Sequence, residues 1–238
     1  MFLFDANWYQ IVLKYENPML ITVKILKRVK LKNVSFMILL LKTCIIFGQP
    51  KVIIIDPGHG GKDTGAIGIN GIQEKEVILN VAKEVLRLNK TIFEDRFDIY
   101  LTRYKDTLIS LRDRTKLAKA LNTDMFISLH CNHAENSNAK GIEVYVHNSD
   151  SRFTKEAIEL GLALLNESTT KLGFKKRGVT FANFQVLRET VMFCPSVLVE
   201  LGFVSNRNEV DYFLKSQSIK AMALAILLGI TNYLNTGL

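Results

Sequence analysis

Residues 52–63 read VIIIDPGHGGKD: a run of β-branched residues, then a histidine set among three glycines. With Lys51 in front, KVIIID is apolar in all but its ends, the composition of a strand covered on both faces of a sheet. The glycines that follow let the backbone turn sharply. One of only four histidines in the chain, His59, therefore sits just past the end of a core strand. Open α/β sheets collect their functional groups at that place.

Outward from this stretch, strand-like and helix-like segments alternate, which predicts an α/β fold. EKEVILNVAKEVLRLN (74–89) sets Val77, Ile78, Val81, Val85 and Leu88 at helical spacing. FDIYLTR (97–103), DMFISLH (124–130) and GIEVYV (141–146) read as strands, and Ser110 as the cap of the helix LRDRTKLAKAL. A long helix over 154–172 ends at Gly173, while FQVLR (184–188) and SVLVELGF (196–203) supply two more strands. Asn206 with Glu209 resembles a capping box for RNEVDYFLK. SIKAMALAILLGITNYL nearly suits a membrane in length, but Lys220 and the polar tail favour a buried terminal helix. The expectation is a single α/β domain over residues 51–238. Its sheet is mostly parallel and twisted, about six strands wide, with helices on both faces.

The net charge of +8 is unevenly placed. Residues 1–50 hold seven Lys/Arg against Asp5 and Glu16, a net of +5, which leaves +3 for the rest. A mildly basic body gives no support to a nucleic-acid surface. The early excess lies in VKILKRVKLKN (23–33), followed by the apolar run VSFMILLLKTCIIFG. That order is the order of a secretory signal peptide, and the run is short for a membrane span. Residues 1–50 thus read as an N-terminal extension with an export signal, and the mature protein is expected to begin near Gln49 without a stable membrane span. Lys42 interrupts the run, and a start at Met19 would bring the basic cluster nearer the N-terminus. The alternative is an ordinary strand or helix of the fold. LKTC lacks the small residue that a lipidated Cys44 needs.

Three cysteines are too few for a disulfide-built fold. Cys131 and Cys194 fall at opposite ends of core strands, too far apart for a bridge.

Three strand ends deliver His59, His130 and Glu200 to one edge of the sheet, and Glu74 opens a helix fifteen positions after His59. A phosphate-binding loop fails on spacing, because Asp56 and Asp63 occupy positions such a motif needs for other residues. Two histidines and one carboxylate with a fourth place open is a catalytic zinc arrangement. Each also has an ordinary role: a loop histidine, a charge at a helix N-terminus, a satisfied strand-end histidine. Glu200 lies in VLVELGF, where an unpartnered carboxylate is costly.

DPGHGGKDTGAIG, GIQEKEV, LTR, SLHCN, GIEVYV, KRGV, VLRET and VLVELGFVSN occur in the order of a known family. From Lys51 onward the chain resembles the zinc-dependent N-acetylmuramoyl-L-alanine amidases, which cut peptidoglycan. The resemblance implies His59, Glu74 and His130 as ligands of zinc (Zn2+) and Glu200 as the catalytic carboxylate. It implies hydrolysis of the amide between the lactyl group of N-acetylmuramic acid and L-alanine, by zinc-activated water with Glu200 as general acid and base. An exported, periplasmic or envelope enzyme follows, with peptidoglycan as partner and no nucleic acid; a regulatory protein partner is left open. His133 departs from the family, where a small residue is common; a fourth ligand, a substrate contact and a surface residue are all open, with the surface or rim favoured. Asp56, Asp63, Arg103, Arg114, Arg188 and His147 read as structural or supporting. The segment 146–177 holds one helix and short joins, which leaves no room for a helix plugging the site. The alternatives are another zinc hydrolase of the envelope, a peptidase or deacetylase, or a non-catalytic wall-binding module.

Overall fold

The computed structural model describes residues 49–236. The export signal, the Met19 start and Cys44 lie outside the described residues. The strands are β1 (Lys51–Pro57), β2 (Phe97–Leu101), β3 (Met125–Asn132), β4 (Ile142–Val146), β5 (Lys176–Phe181) and β6 (Ser196–Phe203). The helices are α1 (Glu74–Thr91), α2 (Leu111–Ala120), α3 (Phe153–Leu172), α4 (Gln185–Thr190), α5 (Arg207–Phe213) and α6 (Ser216–Asn235). One six-stranded sheet runs in the order β2-β1-β3-β6-β4-β5.

Strand alternation sorts the core into two layers. Ile53, Ile55, Ile127, Leu129, Val197 and Val199 face α1, α3 and α6. Ile54, Phe126 and Leu198 face the opposite way, against Ala118 of α2 and Val186 and Leu187 of α4. α6 is long and apolar enough to cross a membrane, yet Met222, Ile226, Leu227 and Ile230 are buried in the core it shares with α1 and α3. Ser110 caps α2 as expected, its hydroxyl accepting from the Asp113 amide at 3.2 Å. Gly173 ends α3 in the left-handed conformation, at φ 75°.

The first four strands in the sheet order are parallel, whereas β4 runs antiparallel to β6 and parallel to β5. The link over residues 133–141 is shorter than the dozen or more residues a parallel crossover needs, so the chain returns in the opposite direction. Two local expectations are corrected. FQVLR is not a strand: Val186, Leu187 and Thr190 form the buried face of helix α4. The fifth strand is KRGVTF, an edge strand with no fully buried residue and therefore no apolar alternation to betray it. Glu209 does not close a capping box either. Asn206 Oδ1 accepts from the Asn208 and Glu209 amides, but the Glu209 carboxylate accepts from Gly141 at 2.8 Å and Phe203 at 2.7 Å. It ties the start of β4 to the end of β6 and so fixes which residues sit beside Glu200. Cys131 and Cys194 are buried free thiols.

Candidate metal centre

β1 ends at Pro57, and the Gly58 amide donates to Leu129 O of β3 at 3.1 Å. A Cβ on Gly58 would run into the His130 ring, so only glycine lets the loop pass this close. His59 follows with φ 51°, a left-handed conformation that non-glycine residues adopt rarely. Surrounding groups hold it there. The buried Arg114 guanidinium donates to Pro57 O at 2.8 Å and His59 O at 2.7 Å. Arg103, equally buried, donates to Pro57 O, Gly58 O and Lys75 O. Asp56 anchors Arg114 at 2.6 Å and also accepts from Ser128 Oγ at 2.8 Å and from Thr102 Oγ1. Both members of that ion pair are about 98% buried or more.

Three donors converge at the carboxyl edge of β1 and β3. Glu74, the first residue of α1, points its buried carboxylate between two imidazoles. Its Oε1 lies 2.9 Å from His130 Nδ1, 3.2 Å from His59 Nε2 and 2.9 Å from the Cys131 amide. Its Oε2 accepts from the Ala66 amide at 2.8 Å. Burial works to raise the Glu74 pKa, but the hydrogen bonds from His130 and His59 prevail and hold it well below the usual carboxylate range. The two imidazoles stand edge to face with centroids 4.9 Å apart. One ligand atom from each of His59, Glu74 and His130 lies within 4.8 Å of the others, so the trio can hold a metal ion. Asp63 fixes the remaining His59 nitrogen, its Oδ2 2.9 Å from Nδ1. A carboxylate behind a ligating histidine sets its tautomer and ring orientation. Burial would lower the His59 pKa; the nearby Glu74 and Asp63 raise it instead.

Glu200 pairs with His130 in the β3–β6 register and occupies the same edge. Burial raises its pKa to about 7, and its Oε2 is buried with no hydrogen-bond partner among the described residues. A cleft of about 740 Å³ opens over His59, His130 and Glu200. Leu108, Leu111, Phe184 and Leu198 form its apolar wall.

Sequence reasoning named these four residues but missed their neighbours on β4. The antiparallel register sets Glu143 directly beside Glu200 and Tyr145 beside Leu198. Tyr145 stacks edge to face on Phe184 at 5.4 Å, and burial first, then Glu143, raises its pKa to about 12. The alternation in GIEVYV could have put Glu143 and Tyr145 on one face; nothing in it gives the strand's direction. His133 is exposed at the end of β3, as expected for a rim residue. His147 follows β4 and, because that strand is reversed, lies at the opposite edge near Ala182 O. Arg188 is exposed and donates to Asn183 Oδ1 at 2.8 Å, outside the network around residues 56–63.

A family model described as N-acetylmuramoyl-L-alanine amidase matches residues 53–232. The chain is 35% identical over 189 residues to the endolysin of Bacillus phage SPP1, covering 78% of this chain and 66% of that protein. It is 38% identical over 163 residues to N-acetylmuramoyl-L-alanine amidase LytC of Bacillus subtilis (strain 168), covering 67% and 30% of the two. The solved structure of N-acetylmuramoyl-L-alanine amidase from Clostridium difficile 630 matches with TM-score 0.72 and 30% identity, covering 80% of this chain and 100% of that one. The chain thus spans less than two thirds of the length of these curated relatives but the whole of that solved chain.

Proposed function

Because the chain belongs to the N-acetylmuramoyl-L-alanine amidase family, we propose that it is a cell-wall hydrolase cutting the amide between the lactyl group of N-acetylmuramic acid and L-alanine of the stem peptide. The convergence of His59, Glu74 and His130 beside a buried, unpartnered Glu200 carries this reading. A nitrogen, nitrogen, oxygen donor set with one face open to a cleft suits catalytic zinc. Zinc held there supplies Lewis acidity toward a carbonyl oxygen and acidifies water. The chain's own residues do the rest. His59 and His130 turn imidazole nitrogens inward toward Glu74, and Asp63 holds the His59 ring in place. Glu74 contributes the balancing negative charge. An amide leaves only as an amine, so its nitrogen must gain a proton. Glu200 Oε2 takes one from the attacking water and returns it to the departing alanine nitrogen. Leu108, Leu111 and Phe184 line the cleft beside that transfer. Digestion of purified peptidoglycan tests the reading: new L-alanine amino termini and free muramoyl lactyl groups are expected. Cleavage elsewhere in the peptide, or none, would refute it.

The cleft needs no opening by an activator on this reading, because α3, which fills the segment after β4, packs on the opposite face of the sheet. The digestion therefore uses the purified protein alone.

His59→Ala, Glu74→Ala and His130→Ala should each abolish stoichiometric zinc binding, and Asp63→Ala should weaken it about 10–100-fold through the loosened His59 ring. His133→Ala should leave it unchanged. Metal content by elemental analysis, with competitive chelator titration, reads all five; equal loss in the His133 variant would redraw the ligand set.

Residues 51–238 form the catalytic part on this reading and residues 1–50 an export segment that delivers it to the periplasm or envelope. The basic-then-apolar order of residues 23–48 supports this. N-terminal sequencing of envelope-fraction protein should begin near Gln49, and an intact Met1 on active enzyme would refute export.

A further inference from the structure

Strands β4 and β5, parallel to each other and antiparallel to the other four, extend the sheet beyond Glu200 and carry charges that the hydrolytic step does not use. Glu143 stands next to Glu200 in the β4–β6 register. The β4–β5 register shifts between Ile142 and Glu143, pairing them with Lys176 and Gly178. Arg177 is the extra residue of that bulge, and bulges re-aim a side chain out of the regular ladder. Its Nε donates to Glu143 Oε2 at 3.1 Å, and its guanidinium lies 5.0 Å over the Phe203 ring. Those contacts fix the plane of the guanidinium. Nη1 and Nη2 have no hydrogen-bond partner among the described residues, and the side chain is about a third exposed.

A guanidinium held at Nε and on its face, with two parallel N–H donors free, is a preorganised receptor for a carboxylate. Its distance from the chemistry identifies the carboxylate. The guanidinium lies over Phe203, three residues beyond Glu200 on β6, roughly 10 Å along the strand at about 3.3 Å per residue. An extended peptide covers about 3.3–3.6 Å per residue. With the scissile amide at Glu200, the second or third residue of the stem peptide reaches Arg177. From this geometry we infer that Arg177 is a specificity-determining residue that binds a free carboxylate on the second or third residue of the stem peptide, with Glu143 positioning it. The inference rests on the amidase reading and adds the direction in which the peptide lies: from Glu200 toward Glu143 and the Arg177 guanidinium over Phe203, leaving the glycan to the His59 side.

The test compares synthetic muramoyl peptides carrying either a carboxylate or a carboxamide on the second residue, and a second pair varied on the third. Wild-type protein should prefer the carboxylate form of one pair by about 10–100-fold in kcat/KM, mainly through KM. Arg177→Met should abolish that preference by weakening the carboxylate form alone, and Arg177→Lys should restore part of it. Unpairing Glu143 next to Glu200 alters turnover on both forms equally, so the ratio between forms isolates the contact. Wild-type protein that treats both forms of both pairs alike overturns the inference, as does a preference that survives in Arg177→Met. Failure of the wild type to release alanine-terminated peptide from any of them overturns the amidase reading itself.

Discussion

Glu200→Gln is expected to keep the fold and the metal and to lose about 10²–10⁴-fold in turnover. The amide is nearly isosteric with the carboxylate, so the packing of β6 survives. What disappears is a group able to accept a proton and return it to the leaving amine. Proton transfer belongs to the transition state, so the loss falls on kcat more than on substrate binding. The same variant should be more stable than wild type when both are metal-free at pH 8. The unfolded carboxyl titrates at its ordinary value of 4.5, while burial raises the folded one to about 7. Between those values the folded state holds the extra proton, so wild-type stability falls as pH rises and stays lower above 7. A shift of that size corresponds to roughly 3 kcal/mol. The glutamine, which never ionises, escapes it. Melting chelated protein at pH 5 and pH 8 reads the difference. Near wild-type turnover in a folded, metal-loaded variant would remove Glu200 from the mechanism, and equal pH dependence in both proteins would contradict its buried, unpartnered state.

Asp56→Ala should destabilise the protein by about 3–5 kcal/mol, the usual consequence of removing one partner of a buried ion pair. Arg114 is left charged and 2% exposed with no counter-ion, and Ser128 and Thr102 lose their acceptor. In a domain of this size the melting temperature falls by roughly 6–20 °C. Exposed Lys51–Asp124 supplies the contrast, since Lys51→Ala should change stability by no more than about 1 kcal/mol. Replacing Asp56 and Arg114 together with apolar residues should lose less than the sum of the single changes, because no charge is stranded. Strict additivity would mean that the pair does not interact as its 2.6 Å separation indicates. Arg114 also holds the His59 carbonyl, so metal affinity should fall along with stability.

The sequence by itself determined the α/β frame, a sheet with helices on both faces, and named the four residues proposed for the chemistry. Apolar strands and 3.6-residue periodicity are local signals, and glycines around His59 mark a turn wherever that turn is placed. KRGVTF escaped because an edge strand is half wet and needs no apolar alternation; FQVLR misled because three apolar residues among five fit a strand and one helical turn equally well. The direction of β4 was decided only in three dimensions. It follows from the short link over residues 133–141 and from Glu209, whose carboxylate joins backbone amides 62 residues apart, at Gly141 and Phe203. That reversal put Glu143 beside Glu200, brought Arg177 to Glu143 and sent His147 to the far edge. Side-chain identity is written in the chain, but adjacency across a sheet is set by register and direction, which depend on partners distant in sequence.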